Sequence, residues 1–157
     1  MLTGDYFAYG SNLSSRRLRA RTPSARPVRV AALEGWSLRW HKRSLDGSGK
    51  CDIVPEEGGT VWGVVYAIDL REKPRLDAAE GLGHGYEERR VEHGWTYVAT
   101  DVDPSRMPYD WYKAFVVAGA REHGLPDAYV RGLEAVPARM DEDRERARRQ
   151  ALILEDR

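Results

Sequence analysis

Cysteine is almost missing from this chain, since Cys51 stands alone among 157 residues. A single thiol excludes an intrachain disulfide and a zinc cluster built on thiolates, and it suits a reducing compartment. Net charge is missing too: 25 Lys plus Arg offset 25 Asp plus Glu. That balance removes any global attraction to nucleic acid or to an anionic membrane. No apolar run reaches the roughly 18 residues that suggest a membrane span, and no long apolar segment precedes the polar turn at Gly10-Ser11-Asn12. A cytoplasmic protein is expected, with no membrane and no nucleic-acid partner.

Cofactor and metal signatures are absent as well. There is neither a Gly-rich run followed by Lys-Ser or Lys-Thr nor the dinucleotide glycine pattern, which disfavours ATP and nicotinamide. His41, His84, His93 and His123 do not fall at ligand spacing, so no metal and no cofactor are expected. His84, between two glycines, reads as a loop residue. Ser11 lacks the Gly-x-Ser-x-Gly context of a hydrolase nucleophile. Cys51 sits in an apparent strand with no thiolate-stabilising neighbour, so core packing is its expected role.

What is present fits one compact domain over residues 1–157, with 141–157 as a charged C-terminal helix or tail. Tyr6 to Tyr9 reads as a strand that exits through Gly10-Ser11-Asn12, where Ser11, Asn12 or Ser14 can cap a helix. Arg16 to Arg21 then lie on a short, mostly exposed helix. Alternation predicts strands over 28–32, 36–40, 51–54 and, most strongly, 61–68, where apolar residues on both faces imply a central strand. Pro55 and Gly58-Gly59 are expected to end the 51–54 element, and 43–50 is expected to be a mobile loop. Asp69 can cap a helix beginning near Arg71 and ending at Glu80. A tight hairpin is expected around His93-Gly94, and helices over 110–122 and 126–133.

Two features can carry chemistry. The turn Tyr9-Gly10-Ser11-Asn12-Leu13 has small residues that let successive backbone N–H groups converge on an anion. Glu80 ends a partly apolar helix beside the Gly81-Leu82-Gly83-His84-Gly85 turn, where a ligand can approach closely, and is the best candidate for proton transfer. The basic N-terminal region, with ten Lys or Arg against three Asp or Glu in the first fifty residues, reads chiefly as a solvated surface.

Taken in order, Tyr6-Phe7-Ala8-Tyr9-Gly10-Ser11-Asn12-Leu13, Val61-Trp62-Gly63-Val64-Val65-Tyr66 and Leu76-Asp77-Ala78-Ala79-Glu80-Gly81, with Tyr86, resemble the gamma-glutamylcyclotransferase family. The likeness continues through Tyr112 and Gly119-Ala120-Arg121-Glu122-His123-Gly124-Leu125-Pro126. It implies an α+β fold, a compact mixed β-barrel with surrounding short helices, often as a homodimer. It also implies an enzyme that releases 5-oxoproline and an amino acid or amine from a gamma-glutamyl substrate. By the same resemblance Tyr9, Gly10, Ser11, Asn12 and Leu13 match the substrate-binding loop, Glu80 the catalytic acid/base, and Tyr86 and Tyr112 aromatic positions of the pocket. Two alternatives stand beside it: a cyclotransferase specialised for a gamma-glutamyl-amine conjugate, and a metabolite- or protein-binding module of the same fold without turnover.

Overall fold

The computed structural model describes residues 1–155. Strand β1 (Thr3–Ala8) runs into a 3-10 turn at Ser11–Leu13 and helix α1 (Ser15–Arg21). Ser14 caps that helix through its side chain, which accepts the Arg17 N–H at 3.3 Å. Strands β2 (Arg26–Arg43) and β3 (Gly49–Asp69) form one long hairpin. Helix α2 (Lys73–Glu80) follows, then the hairpin β4 (Tyr86–Val91) and β5 (Gly94–Ala99). Helices α3 (Asp110–Glu122), α4 (Asp127–Glu134) and α5 (Arg144–Glu155) complete the described chain.

The five strands lie in the order β2-β3-β1-β5-β4. β1 is antiparallel to β3, from Thr3 opposite Asp69 to Ala8 opposite Val64, and parallel to β5 at Tyr6 and Trp95. This central position explains why Tyr6, Phe7, Ala8 and Val64 to Ile68 are buried on successive residues rather than on alternate ones.

The α+β expectation holds, while the barrel does so only loosely, because the sheet is not closed. Closure needs the two edge strands to share a continuous ladder. Here β2 and β4 are both edges, and the backbone of the curled end of β2 bonds to the segment after β5. Arg43 N–H donates to the Asp101 carbonyl at 2.9 Å, and Asp103 N–H to the His41 carbonyl at 2.7 Å.

Other expectations are corrected by the same long hairpin. The strands over 28–32 and 36–40 are one element, as are those over 51–54 and 61–68. The pairing passes from Glu34 opposite Thr60 to Trp36 opposite Pro55, so the extra residues bulge out without ending the ladder. Gly35 and Gly58 sit there at φ 84° and 81°, where side chains are disfavoured. The segment 43–50 is a bonded turn: Ser44 N–H donates to the Ser48 carbonyl at 3.1 Å, and Tyr109 Oη–H to the Asp46 carbonyl at 2.7 Å. α2 starts at Lys73 instead of near Arg71, because the Asp69 carboxylate takes the Arg71 N–H in a turn at 3.0 Å. α1 is not mostly exposed, since Arg17 and Leu18 are buried beneath α3 and α5. α5 packs Ile153 and Leu154 on the core, and the last two residues of the charged helix or tail expected over 141–157 lie outside the described residues.

Candidate active site

A cavity with about 280 Å³ of empty space opens where β1 ends. It is lined by Tyr6, Tyr9, Gly10, Ser11, Asn12, Cys51, Glu80, Tyr86, Tyr97 and Tyr112. Elements distant in sequence converge here: β1 and its 3-10 turn, the start of β3, the last residue of α2, the first of β4, the middle of β5 and the first turn of α3. The part of that space a water-sized sphere can occupy is only about 20 Å³, so the site is narrow.

Glu80 is positioned from both sides. Behind it, Gly81 adopts the left-handed conformation at φ 73° and ends α2, so the chain turns away and leaves the carboxylate at the helix end. In front, Asn12 Nδ2 donates to Glu80 Oε1 at 2.6 Å and to the Tyr6 hydroxyl at 3.0 Å. Arg21 approaches the same carboxylate oxygen at 3.5 Å and donates to Asn12 Oδ1 at 3.1 Å. A guanidinium can only donate, so Arg21 decides which end of the Asn12 amide faces Glu80.

The tyrosines form a wall of neutral hydroxyls. Tyr9 donates to the Tyr97 carbonyl at 2.5 Å, Tyr86 to the Cys51 carbonyl at 2.6 Å, and Tyr97 to Asp77 Oδ1 at 2.5 Å. The Tyr112 hydroxyl accepts the Cys51 N–H at 3.0 Å. Burial, reinforced by the Glu80 charge, raises the pKa of Tyr6, Tyr9, Tyr86 and Tyr112 above the ordinary phenol value. Burial also pushes the Cys51 thiol up, and burial with acceptance by Asp77 does the same for Tyr97. Among the described lining residues, Glu80 is the only carboxyl group, set among phenols and a thiol that burial keeps protonated. Asn12 and Arg21 both approach Oε1, which leaves Oε2, with no partner among the described residues, to meet a cation such as an ammonium group.

The floor of the cavity is the 3-10 turn. Leu13 N–H closes on the Gly10 carbonyl at 3.0 Å and Ser14 N–H on the Ser11 carbonyl at 3.1 Å. The amides of Ser11 and Asn12, which lead the turn, donate to no carbonyl among the described residues. A Cβ on Gly10 would stand 3.1 Å from Cys51 Cβ and 3.4 Å from the Tyr112 hydroxyl, so a side chain there would crowd this corner by a few tenths of an ångström. Beneath the turn, Arg17 Nε donates to Ser11 Oγ at 3.0 Å and its Nη1 to Gln150 Oε1 of α5 at 2.8 Å. The guanidinium lies 4.6 Å from the Phe115 ring centroid, and burial pushes its pKa down to about 10. No metal-binding group of three or more His, Cys, Asp or Glu exists among the described residues.

The geometry thus gathers seven of the eight residues singled out in the sequence: Tyr9, Gly10, Ser11, Asn12, Glu80, Tyr86 and Tyr112 all line one cavity. Leu13 does not. It is fully buried, and its carbonyl accepts the Tyr66 hydroxyl at 3.1 Å, which anchors the turn to β3.

A family model described as the AIG2-like family matches residues 60–133. The mouse and human gamma-glutamylcyclotransferases are each 32% identical over 152 residues, covering 83% of this chain and 77% of theirs. The chain belongs to the gamma-glutamylcyclotransferase family. The solved structure of a gamma-glutamyl cyclotransferase superposes with a TM-score of 0.76 at 27% identity, over 94% of this chain and 99% of that one.

Within this gamma-glutamylcyclotransferase-family site, sequence reasoning missed Tyr6, Tyr97, Cys51 and Arg17. Cys51 was assigned to the core, and it is buried there, yet it also walls the cavity. Tyr6 and Tyr97 carried a signal, because aromatics on strands beside the turn can be expected to reach it. Arg17 carried little, since a guanidinium in an arginine-rich helix looks the same whether it faces water or a ring.

Proposed function

We propose that this chain is a gamma-glutamylcyclotransferase, converting a gamma-glutamyl substrate to 5-oxoproline with release of an amino acid or amine. The observation that carries the reading is Glu80, a lone lining carboxylate hydrogen-bonded to Asn12, facing a turn whose leading amides are free. Family membership and the fold support it.

In this reading the substrate's α-carboxylate binds the Ser11 and Asn12 amides and its α-ammonium meets Glu80. Glu80 takes one proton, and the freed amine attacks the γ-carbonyl carbon of the same molecule to form a five-membered ring. The new C–N bond makes a tetrahedral intermediate, whose collapse breaks the bond to the departing nitrogen. Between ammonium and lactam the attacking nitrogen loses two protons, and between amide and ammonium the leaving nitrogen gains two. Glu80 carries them across, and no water is consumed. Holding the chain bent can supply about 7–11 kcal/mol in favourable systems, and a positioned acid/base about 10²–10⁴-fold.

The neutral hydroxyl wall supports this division of labour. It excludes competing bases from the cavity, and its bonds to backbone carbonyls hold the wall in one shape. Arg17 and Arg21 act from behind the turn, on Ser11 and Asn12.

The test is to assay 5-oxoproline release from several gamma-glutamyl amino acids and amines with wild type and Glu80→Gln. The expected outcome is turnover that falls by about 10²–10⁴-fold in the variant, with thermal stability retained. Turnover unaffected by Glu80→Gln refutes the assigned mechanism, and binding without 5-oxoproline selects the non-catalytic module. A cytoplasmic location and a homodimer belong to the same proposal. The first is supported by the single buried thiol, the second by Val28 and Val30 exposed on edge strand β2. Sedimentation equilibrium that reads a monomer removes the second.

A further inference from the structure

Beside the tyrosine cavity, the far end of the β2–β3 hairpin borders a second, open hollow of about 260 Å³. Its walls include Lys42, Arg43, His84, Gly85, Asp101 and Arg106. Two of these cations are already answered. Arg43 Nε lies 3.2 Å from Asp101 Oδ1, and Arg106 Nε lies 3.5 Å from Asp103 Oδ2. Arg106 also donates to the Ser44 carbonyl at 2.7 Å.

Lys42 differs. Its residue is only 9% exposed, with Nζ at the solvent edge of the hollow, and among the described residues no carboxylate pairs with its ammonium. Nζ lies instead 4.9 Å from the centroid of the Tyr86 ring, and Tyr86 lines the tyrosine cavity. A ring face is a weak substitute for a counter-ion, and desolvating an ammonium without one is unfavourable. Burial accordingly holds its pKa below the ordinary lysine value, with Glu80 the largest opposing charge. The side chain thus sits at the junction of the two hollows, within the field of the Glu80, Asp46 and Asp101 carboxylates but in contact with none of them among the described residues.

The cyclisation chemistry says which anion belongs there. The tyrosine cavity is small, so the group on the γ-amide nitrogen must extend beyond it. A departing plain amine gains a positive charge as it leaves and offers Lys42 nothing to bind. A departing amino acid carries a carboxylate as well, which Lys42 can hold while its nitrogen takes up protons.

Resting on the cyclotransferase reading, we propose that the second hollow is the leaving-group subsite. There Lys42 selects gamma-glutamyl conjugates whose departing amine bears a carboxylate over those that release a plain alkylamine.

The test measures kcat/KM for gamma-glutamyl-alanine and gamma-glutamyl-ethylamide, which differ by that carboxylate, in wild type, Lys42→Met and Lys42→Arg. Wild type is expected to prefer the alanine conjugate by about tenfold to a hundredfold, the scale of one charged hydrogen bond. Lys42→Met, which keeps the stem over Tyr86, collapses that ratio, and Lys42→Arg retains it. A wild-type ratio near one overturns the proposal whatever the variants do. So does a ratio that survives in a Lys42→Met protein whose melting temperature is native. No 5-oxoproline from either substrate is a different failure, because it overturns the cyclotransferase reading on which the proposal stands.

Discussion

Tyr86 stands between a cavity walled by neutral hydroxyls around one carboxylate and a hollow walled by cations around one aspartate. The first is made by the middle of the sheet, where β1 and β5 run side by side and α3 presses on the turn. Its hydroxyls are tied to backbone carbonyls, and burial keeps them protonated. The second is made by the end of a hairpin and two loops, beside a fully exposed Leu45. Proton transfer needs neighbours whose charge does not change, whereas selection among leaving groups needs charge that an incoming anion can answer. On the proposed reading, the two halves of a conjugate would meet two kinds of wall.

That contrast can be attacked from behind the tyrosine cavity, where the largest effect is expected. A Cβ at Gly119 would stand 2.2 Å from the Leu13 carbonyl carbon and 2.3 Å from Ser14 N, both backbone atoms with little room to yield. Gly119→Val should force α3 off the turn, lowering stability by about 3 kcal/mol in urea unfolding and raising KM. A loss below about 1 kcal/mol would mean that α3 does not set the position of the turn.

A smaller effect is expected at the strap that carries α5 against the same region. Asp141 pairs with Arg146 through both oxygens at 2.7 Å and accepts the Trp111 indole N–H at 2.9 Å. Arg146 holds the Asp141 carboxyl well below its ordinary value of 3.8. Because the folded value is depressed, the stabilisation is complete above the unfolded pKa and is lost as pH falls through 3.8 toward the folded value. Asp141→Asn should cost about 1–2 kcal/mol at pH 7, discounted for the partly exposed Arg146, and should flatten the acid limb of stability. An unchanged limb would assign acid sensitivity to other carboxylates.

The smallest effect is confined to the junction. Gly85 has φ 132°, and a Cβ there would meet Lys42 Cε at 2.9 Å and Nζ at 3.0 Å. Gly85→Ala should cost roughly 1 kcal/mol through backbone strain and displace the lysine. The discrimination between carboxylate-bearing and plain leaving groups should then shift by several-fold. A preserved ratio would mean that the position of Lys42 does not govern selection.

Much of this molecule was legible in local pattern. The aromatic run at Tyr6 to Tyr9 marked β1, alternation the central part of β3, and the His93-Gly94 pair the β4–β5 hairpin, while a helix over 110–122 was read as α3. The turn at Gly10-Ser11-Asn12 and Glu80 at a helix end were visible for the same reason, since turn residues and helix stops act within a few positions. The continuity of β2 and β3 was not visible, because Pro55 and Gly58-Gly59 terminate a strand or bulge it depending on a partner that lies far along the chain. Nor was the burial of Arg17, which depends on Phe115 and Gln150 arriving over it.

Residue order alone therefore established the α+β content, the single thiol, the charge balance and the pieces of the turn and of Glu80. Folding in three dimensions added the 2.6 Å contact between Asn12 and Glu80, the open edge of the sheet, the neutral tyrosine wall and the unanswered Lys42. The reason is physical. Periodicity and turn chemistry are local, whereas protonation, desolvation and ion pairing depend on which distant groups burial brings within a few ångströms.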